Sequence, residues 1–397
     1  MRSRTDDGFR VCSQPMHTSP SISLPSSPAT PLDCRRADQA VSEAMLITSS
    51  SQLEAWAERL TEAPALGLDT EFVRERTFYP RPGLVQVSDG DSVALLDAVA
   101  LPQMTGLGRL LDEQSRTKVL HSVGEDLEVL NLLTSTLPRP LFDTQIAAAM
   151  LGFPLQCRYE NLVAEVLGVE LPGGKARSDW CKRPLTRDLT RYGAQDVIWL
   201  PRLHATLAEA LETRGRLSWL EEDCTRLLAA AAADAAEPPV ARVKGAGNLG
   251  DEQLEILSRL ADWRDREAKR RDLPRSFVLR DDMMLALANS TPGTERERRV
   301  HALPPPVIRR YAEALLDTLN ASPNAGFERP LAFRALSPEQ RAHIKSCQSA
   351  VSRVAEEIQV EPALLASRRD ITRVVRGEAS DRLDGWRAQF LRDILAT

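Results

Sequence analysis

Hydrophobic and polar positions change their period along the chain near residue 125. Between residues 45 and 125, short apolar runs predict strands, namely ALGLDTEF, GLVQVSD, SVALLDA and TKVLHSV. The turn signals RPG and DGD separate the first three runs, and a helical segment over residues 102–113 precedes the fourth. From about 125 to 235 the apolar positions recur with helical period. Strands followed by helices, with one helix interleaved, predict a mixed sheet flanked by helices in an α/β domain.

Composition divides the rest of the chain. Residues 1–44 are rich in Ser, Pro and Thr without periodicity, which predicts a disordered extension, and Met45 is an alternative translation start. After the α/β domain at 45–235, we predict a linker at 236–248, a helical domain at 249–320, a linker at 321–335 and a last helical domain at 336–397.

Charge and cysteine usage narrow the class of protein. The net charge of -5 argues against a broadly basic nucleic-acid binder but leaves room for a locally basic face. No apolar run approaches the roughly 20 residues that a membrane-spanning helix needs. The six cysteines are scattered without a C-x-x-C pair, which favours a reducing cytoplasm over a disulfide framework or a zinc ribbon. The five histidines show no H-E-x-x-H spacing, so a catalytic metal would need oxygen ligands, which favours Mg²⁺ or Mn²⁺.

Asp69 and Glu71 end an apolar run that otherwise has the pattern of a buried strand. Burying a carboxylate costs several kcal/mol unless it is paired, hydrogen-bonded or bound to a metal. Residues i and i+2 of a strand share a face, so these two like charges, about 7 Å apart, repel unless a cation lies between them. Nothing basic is adjacent until Arg74.

Three further residues supply candidate chemistry. Asp126 stands at a predicted strand-to-helix turn in LHSVGEDLEVL, where it is alternatively a helix-start residue favoured by the backbone dipole. Tyr192 and Asp196 are spaced i, i+4 in RYGAQDVIW and share one helix face, where they are alternatively a buried hydrogen-bonded pair. Together with Asp69 and Glu71, the set suits two divalent ions that activate a water and stabilise a departing 3′-oxygen. Tyr has an ordinary pKa near 10, so Tyr192 is better suited to orient the water than to act as a base.

Several motifs, in order and in spacing, resemble the bacterial ribonuclease D family within the wider DEDD group of 3′–5′ exonucleases. They are DTEFVRERTFYPRPGLVQV, LHSVGEDLEVL, FDTQIAAAMLG, SDWCKRPLT and YGAQDV. The tyrosine four positions before the last Asp is typical of the DEDDy branch; the histidine branch has His at the position of Arg191. The resemblance covers about residues 45 to 320.

The resemblance implies an RNase H-like fold and release of nucleoside 5′-monophosphates from RNA 3′ ends, including tRNA precursors. It implies Asp69, Glu71, Asp126 and Asp196 as ligands of two Mg²⁺ or Mn²⁺ ions, and Tyr192 as the water-orienting residue. The RNA substrate rests on this resemblance alone. The alternatives are a 3′–5′ DNA exonuclease with the same ligands and a non-catalytic RNA-binding scaffold. No membrane association and no obligatory protein partner are expected.

Other residues have a functional and a structural interpretation. The candidate substrate contacts are Thr70, Arg74, His121, Lys175 and Trp180. Arg74 alternatively solvates a loop, His121 alternatively supports a strand end, and Trp180 alternatively belongs to the core. Asp143 is predicted to be the N-cap of the helix that follows it.

The helical segment that follows the first linker is the most basic part of the chain, with RDLPRSFVLRDDMML at its centre. It resembles the HRDC domain, a small helical bundle, which implies an auxiliary contact with nucleic acid or protein. Residues 336–397 are interpreted as a second, divergent copy, on the strength of VEPALLASRRDITRVVRG. Contacts to phosphate there would add affinity without sequence readout.

Overall fold

The computed structural model describes residues 10–11, 28–60, 63–172, 174, 178–233 and 238–396. Its main sheet has six strands in the order β2-β5-β4-β3-β6-β7, and β1 pairs with β8 in a separate antiparallel ribbon. The strands are β1 (Arg10–Val11), β2 (Met45–Ile47), β3 (Ala65–Val73), β4 (Arg81–Ser88), β5 (Val93–Asp97), β6 (Thr117–Leu120), β7 (Leu141–Asp143) and β8 (Val169–Glu170).

The pairing within the main sheet is mixed, as the hydrophobic pattern predicts. Strand β4 is antiparallel to both β3 and β5, whereas β2–β5, β3–β6 and β6–β7 are parallel pairs. Residues 84–88 of β4 are all buried, because helices cover both faces of the sheet centre and leave neither face to solvent. The four strands predicted from apolar runs are present, and the short strands β2 and β7 extend the sheet beyond them.

Eighteen α-helices are present in the described parts of the chain, and some of them pack around this sheet. They are α1 (Pro31–Ser42), α2 (Ser50–Ala57), α3 (Thr105–Asp112), α4 (Asp126–Thr134), α5 (Thr144–Met150), α6 (Tyr159–Leu167), α7 (Arg187–Ile198), α8 (Leu200–Thr213), α9 (Leu217–Ala232), α10 (Asp251–Arg271), α11 (Arg275–Val278), α12 (Asp281–Ala288), α13 (Thr294–His301), α14 (Pro305–Asn320), α15 (Pro338–Glu357), α16 (Pro362–Leu365), α17 (Arg368–Val375) and α18 (Ala388–Leu395). Within the described ranges, no helix has both the length and the apolarity to cross a bilayer.

Helix α1 lies in the segment that composition predicts to be disordered, so the structure differs from the prediction over residues 31–42. Thr30 forms a capping box with Asp33, in which each side chain accepts the other's backbone N–H. The helix buries Cys34, Ala37 and Val41 among its apolar residues, and it packs against α7. Burial of this face stabilises the helix in spite of the Ser- and Pro-rich composition around it. Most of the remaining extension lies outside the described residues.

Helices α10 to α14 form a bundle, here called the middle bundle, with a hydrophobic core of its own. The predicted linker at 236–248 contributes Val240, Val243 and Ala246 to that core. Phe327 and Phe333, from the second predicted linker, pack against it as well. Both segments are therefore parts of the bundle's packing in the structure, rather than open connections.

Helices α15 to α18, here called the C-terminal helices, are buried in a different way. Their apolar residues, among them Val351, Leu365 and Trp386, belong to the same continuous core as the sheet and helices α1 to α9. The sheet, helices α1 to α9 and the loops between them are here called the sheet domain. The C-terminal helices therefore pack as an extension of the sheet domain, whereas the middle bundle between them in sequence has a separate core.

Candidate active site

Strand β3 projects Asp69 and Glu71 past the end of its parallel neighbour. Its last pair with β6 is Gly67 with Val119, so β3 continues for six residues beside the turn that leads from β6 into α4. Asp69 and Glu71 alternate with Thr70 and therefore share one face, as the strand period predicts. The carboxylates thus lie where the ladder has opened and side chains from other elements have room to approach.

Helix α7 supplies Asp196 to the same face. A Cβ at Gly67 would lie 2.7 Å from the carbonyl oxygen of Val197 and 2.8 Å from Cβ of Leu200, so only glycine lets the end of α7 approach β3 this closely. Gly67 is two residues before Asp69 on the same strand face, and Val197 directly follows Asp196. The close approach therefore brings Asp196 against the strand carboxylates.

Asp126 comes from the other side of β3. It is the first residue of α4, and the Thr70 hydroxyl donates to its Oδ1 at 2.5 Å. Asp143 fixes the preceding turn, since its carboxylate accepts hydrogen bonds from the backbone N–H groups of Ser122 and Val123 at 3.2 and 2.9 Å. The same carboxylate accepts from the first N–H groups of α5, which confirms Asp143 as that helix's N-cap.

The carboxylates are too close together to be ionised at once without a compensating cation. One oxygen from each of Asp69, Glu71 and Asp196 lies within 4.8 Å of the others. Burial and the charges of Asp126, Asp196 and Glu71 raise the pKa of Asp69 well above its ordinary value. Burial, with the charges of Asp196 and Asp126, raises the pKa of Glu71 to about 9. A divalent cation among these oxygens would remove the repulsion and favour the ionised forms.

Asp126 and Asp196 share this environment. Burial raises the pKa of Asp126 to about 7, against the lowering effect of the hydrogen bond from Thr70. Burial and the nearby charge of Glu160 raise the pKa of Asp196 well above its ordinary value. All four acids line one cavity of about 580 Å³, so the structure brings together the residues that the sequence patterns single out separately.

A buried amide beside the acids also fits a hydrated ion site. Gln86 is opposite Asp69 in the β3–β4 ladder and is 0% exposed. Within the described parts of the chain, neither its amide nitrogen nor its amide oxygen has a hydrogen-bond partner. An unsatisfied buried amide costs about 1–3 kcal/mol, and its usual remedy is an ordered water or a ligand. The donor set of carboxylate oxygens, with no nitrogen or sulfur, is the one that Mg²⁺ and Mn²⁺ prefer.

Tyr192 is half-buried on α7, one helical turn before Asp196, and lines the same cavity. Burial and the charges of Asp196 and Glu71 raise the pKa of its hydroxyl above the ordinary value. The phenol therefore keeps its proton at neutral pH. A protonated phenol can donate or accept a hydrogen bond without acting as a base.

Trp180 packs beside Tyr192 and is not among the residues that line the cavity. Its side chain is 0% exposed, with its ring centroid 6.1 Å from that of Tyr192. A Cβ at Gly83 would lie 2.6 Å from the Trp180 carbonyl oxygen, which shows how tightly this loop is packed on β4. Arg183 fastens the loop through paired hydrogen bonds to Asp97 at 2.7 and 2.6 Å. Of the two interpretations of Trp180, the core position agrees with the structure and the substrate contact does not, because the ring has no exposed surface.

The other predicted substrate contacts have different outcomes. Thr70 is buried and serves Asp126. Arg74 forms ion pairs with Glu125 and Glu128 at the rim of the cavity. His121 lines the cavity, but both its ring nitrogens are within hydrogen-bond distance of protein atoms, Nδ1 at 2.9 Å from the Thr144 hydroxyl and Nε2 at 3.0 Å from the Cys157 carbonyl. Lys175 lies outside the described residues.

Sequence patterns missed the start of α6 and its N-cap residue, Arg158. Arg158, Tyr159 and Glu160 line the acidic cavity, and Arg158 is exposed there. The Tyr159 hydroxyl donates to the carbonyl oxygen of Gln195 at 3.4 Å, and burial together with the charges of Asp196 and Asp69 raises its pKa. Nothing in QCRYEN repeats with a strand or helix period that faces the other acids, so only tertiary packing reveals this wall of the site.

Tyr192→Phe is expected to lower the turnover rate by about 10²-fold, because misplacing a reacting group by about 1 Å costs about that much. Cation binding is expected to survive, since no carboxylate changes. Single-turnover rates and the rise in melting temperature on adding Mn²⁺ measure the two effects. Tyr311→Phe, in the middle bundle, is the matched control that should leave both unchanged. An unaltered rate for Tyr192→Phe would exclude the orienting role.

A mixed sheet that gathers four carboxylates and a tyrosine into one cavity defines a 3′–5′ exonuclease of the DEDDy type. Comparison with protein families agrees with the geometry. The 3′–5′ exonuclease family matches residues 45–212, and the HRDC domain family matches residues 253–319. The chain belongs to the ribonuclease D family.

Relatives along nearly the full length support the assignment. Ribonuclease D of Shewanella sp. (strain ANA-3) is 34% identical over 392 residues, which cover 92% of this chain and 97% of that protein. Ribonuclease D of Escherichia coli (strain K12) is 34% identical over 363 residues, which cover 88% of this chain and 96% of that protein. The crystal structure of Escherichia coli RNase D, an exoribonuclease involved in structured RNA processing, superposes with a TM-score of 0.81 at 33% identity, covering 89% of this chain and 97% of that one. The predicted family, fold class and HRDC domain are thereby confirmed.

Proposed function

We propose that this chain is a 3′–5′ exoribonuclease that hydrolyses RNA from its 3′ end and releases nucleoside 5′-monophosphates. The proposed cofactors are two divalent ions, Mg²⁺ or Mn²⁺, and the proposed substrates are tRNA precursors and other small structured RNAs in the cytoplasm. The observation that carries the proposal is the meeting of Asp69, Glu71, Asp126 and Asp196 with Tyr192 in one cavity. Kinship with ribonuclease D over most of the chain supports RNA as the substrate.

Each residue of the site has a role that its surroundings suit. Asp69, Glu71, Asp126 and Asp196 would hold the ions, which supply Lewis-acid activation of the scissile phosphate and of the attacking water. Tyr192 keeps its proton and orients that water by hydrogen bonding. Thr70 holds the Asp126 carboxylate in place through its hydroxyl. Arg158, exposed on the opposite wall, offers a positive charge to the substrate phosphates.

Parallel digestion of RNA and DNA oligonucleotides of one sequence tests the proposal. We expect the RNA, labelled at its 5′ end, to shorten stepwise, with nucleoside 5′-monophosphates as the chromatographic product. The reaction should stop with a chelator and resume with Mg²⁺ or Mn²⁺. Equal kcat/KM values for RNA and DNA would favour the general 3′–5′ exonuclease alternative. RNA binding without any cation-dependent product would favour the scaffold.

A further inference from the structure

A second cavity, of about 810 Å³, lies between the sheet domain and the middle bundle. The loop after β3, residues 74–78, forms one wall. Residues 242–244 and the chain around α11 and α12 form the other. This cavity is here called the interdomain cleft, and it is separate from the acidic cavity that holds the four carboxylates.

Direct contacts hold the two walls of the interdomain cleft together. The Asp272 carboxylate, at the end of α10, accepts hydrogen bonds from the backbone N–H groups of Phe78 and Tyr79, both at 3.0 Å. The Phe78 side chain packs against the core of the middle bundle, with the Arg275 guanidinium 4.6 Å from its ring centroid. These contacts join the loop after β3 to the middle bundle and so fix the two walls of the cleft relative to each other.

The lining of the cleft is predominantly basic. It contains six basic residues, Arg74, Arg242, Lys244, Arg264, Arg275 and Arg280, against three acidic ones, Glu75, Asp281 and Asp282. Acidic side chains neutralise several of these, as in the Arg264–Asp281 and Arg280–Asp282 ion pairs. Arg242 and Lys244 are exposed and make no ion pair with any described residue. Their charge is thus left for a ligand.

The backbone presents Arg242 and Lys244 in a fixed way. Val243 between them is 3% exposed and belongs to the core of the middle bundle, so the two flanking side chains extend away from that core. The Lys244 backbone N–H donates to Asp281 Oδ2 at 3.1 Å, while Asp281 Oδ1 accepts from Arg264 at 2.6 Å. Fixing the backbone lowers the entropy that a ligand must overcome to engage the two cations.

The interdomain cleft adjoins the active site. Arg74 lines the cleft and forms an ion pair with Glu125, which lines the acidic cavity. A polyanion that places one end among the four carboxylates and their cations therefore meets Arg74 next and the basic cleft after it. A single-stranded nucleic acid has this chemistry, with one negative charge per nucleotide spaced along its length.

We infer that the interdomain cleft binds the phosphodiester backbone of the strand whose 3′-terminal nucleotide lies in the acidic cavity, with Arg242 and Lys244 as phosphate contacts. The inference rests on the proposed function for the direction of the strand and for RNA as the ligand. Contacts of this kind add affinity and position the strand without reading sequence. They make binding dependent on salt and make catalysis dependent on the length of the RNA.

Binding of a fluorescent single-stranded RNA of about sixteen nucleotides tests the contacts, with Asp69→Asn as the background so that the RNA stays intact. Each phosphate contact contributes about 0.7 to the slope of log K against log salt for single strands. Arg242→Gln with Lys244→Gln is therefore expected to reduce the slope by about 1.4. Arg298→Gln with Arg309→Gln is the matched control, because it removes the same charge from exposed residues of the middle bundle outside the cleft.

Kinetics in the otherwise native chain provide a second readout. The ratio of kcat/KM for the long RNA to that for a trinucleotide is expected to fall about tenfold in the cleft variant and to stay constant in the control. An unchanged slope and ratio, or equal effects in the control, would overturn the inference. If the slope falls as expected while the native chain releases no nucleotide, the cleft stands and the proposed function fails. If the native chain releases nucleotides while the slope stays unaltered, the proposed function stands and the cleft does not bind the strand.

Discussion

Asp69→Asn is expected to lower the rate of nucleotide release by about 10³-fold or more while RNA affinity largely survives. A bound metal ion contributes several kcal/mol to the transition state, and each 1.36 kcal/mol corresponds to a factor of ten in rate. Asp69 has Glu71, Asp126 and Asp196 as its nearest charges, so its loss weakens the hold on any ion that the cluster shares. Single-turnover kinetics with end-labelled RNA, together with binding measured separately, distinguish the two effects.

Asp69→Asn is also expected to change the melting temperature when divalent cations are removed. The pKa of Asp69 is raised in the folded state above its unfolded-state value near 3.8. Below that pH the carboxyl group is protonated in both the folded and the unfolded chain, so it does not reduce the free energy of unfolding. As pH rises above that value, the folded chain must either retain a proton or ionise against its neighbours, and it loses stability. The cost grows until the folded-state pKa values are passed, with that of Glu71 about 9. In chelator at pH 8, Asp69→Asn should therefore melt at a higher temperature than the native chain.

Asp91→Asn is the matched control for both measurements, because Asp91 is an exposed acid in the β4–β5 turn of the same sheet. It should leave the rate and the melting temperature unchanged. Added Mn²⁺ should stabilise the native chain more at pH 8 than at pH 5, since the cation relieves a repulsion that grows with pH. Native turnover that persists in chelator, or an Asp69→Asn variant that is no more stable there, would contradict the electrostatic account of the site.

The sequence predicts the acids of the site well because local rules determine their placement. Strand alternation puts Asp69 and Glu71 on one face, and helical spacing puts Tyr192 one turn before Asp196. Both interpretations of Asp126 prove compatible, since it begins α4 and also reaches the site. Strand β3, the start of α4 and helix α7 meet only in the tertiary structure, which local patterns do not determine. The order and spacing of the family's motifs were the part of the sequence that predicted their meeting.

Contacts that follow neither the strand period nor the helix period could not be predicted from the sequence. Gln86 has the position of an ordinary strand residue, yet the register of β4 places it opposite Asp69. Tyr159 and Glu160 reach the site through packing of α6. The core interpretation of Trp180 agrees with its burial, but the sequence does not show that Gly83 of β4 is the surface on which its loop packs. In each case the partner lies far away in sequence.

Helix α1 shows how average composition can outweigh a specific signal. The segment is rich in Ser and Pro, which favours disorder. Within it, Thr30, Pro31 and Asp33 form a helix-start pattern, with a capping box and proline in the first turn. Cys34, Ala37 and Val41 then recur at helical spacing. Weighing the cap and the spacing above the composition would have predicted the helix.

The C-terminal helices show a second limit, because an amphipathic helix does not say which surface covers it. The division of residues 336–397 into a domain of their own stays a prediction, and their buried apolar residues are continuous with the core of the sheet domain. A stack of Trp219 on Trp386, with ring centroids 4.5 Å apart and planes 3° from parallel, joins the two. The sheet domain and the C-terminal helices should therefore unfold together.

A buried ion pair between Arg387 and Asp223 lies at this junction. Arg387, 2% exposed, donates to both carboxylate oxygens of Asp223 at 2.6 and 2.7 Å and to the Leu364 carbonyl at 2.9 Å. Burial raises the pKa of Asp223, but hydrogen bonds from Arg387 and Arg226 outweigh it and lower the pKa below the ordinary value. The carboxylate is therefore charged at neutral pH and depends on its partners for that charge.

Arg387→Ala is expected to reduce the free energy of unfolding of the sheet domain by about 3–5 kcal/mol, because it leaves Asp223 charged and buried with one fewer partner. Arg392→Ala, on the exposed side of α18, is the matched control and should change it by less than about 0.5 kcal/mol. Urea unfolding followed by tryptophan fluorescence measures the loss, since Trp219 and Trp386 lie at the junction and Trp56, Trp180 and Trp199 lie in the sheet domain. If Arg387→Ala released the C-terminal helices while the sheet domain kept its midpoint, the two would be separate folding units. A single transition that shifts as a whole, by contrast, means that the strand bearing Asp69 and Glu71 depends for its stability on residues 387–395.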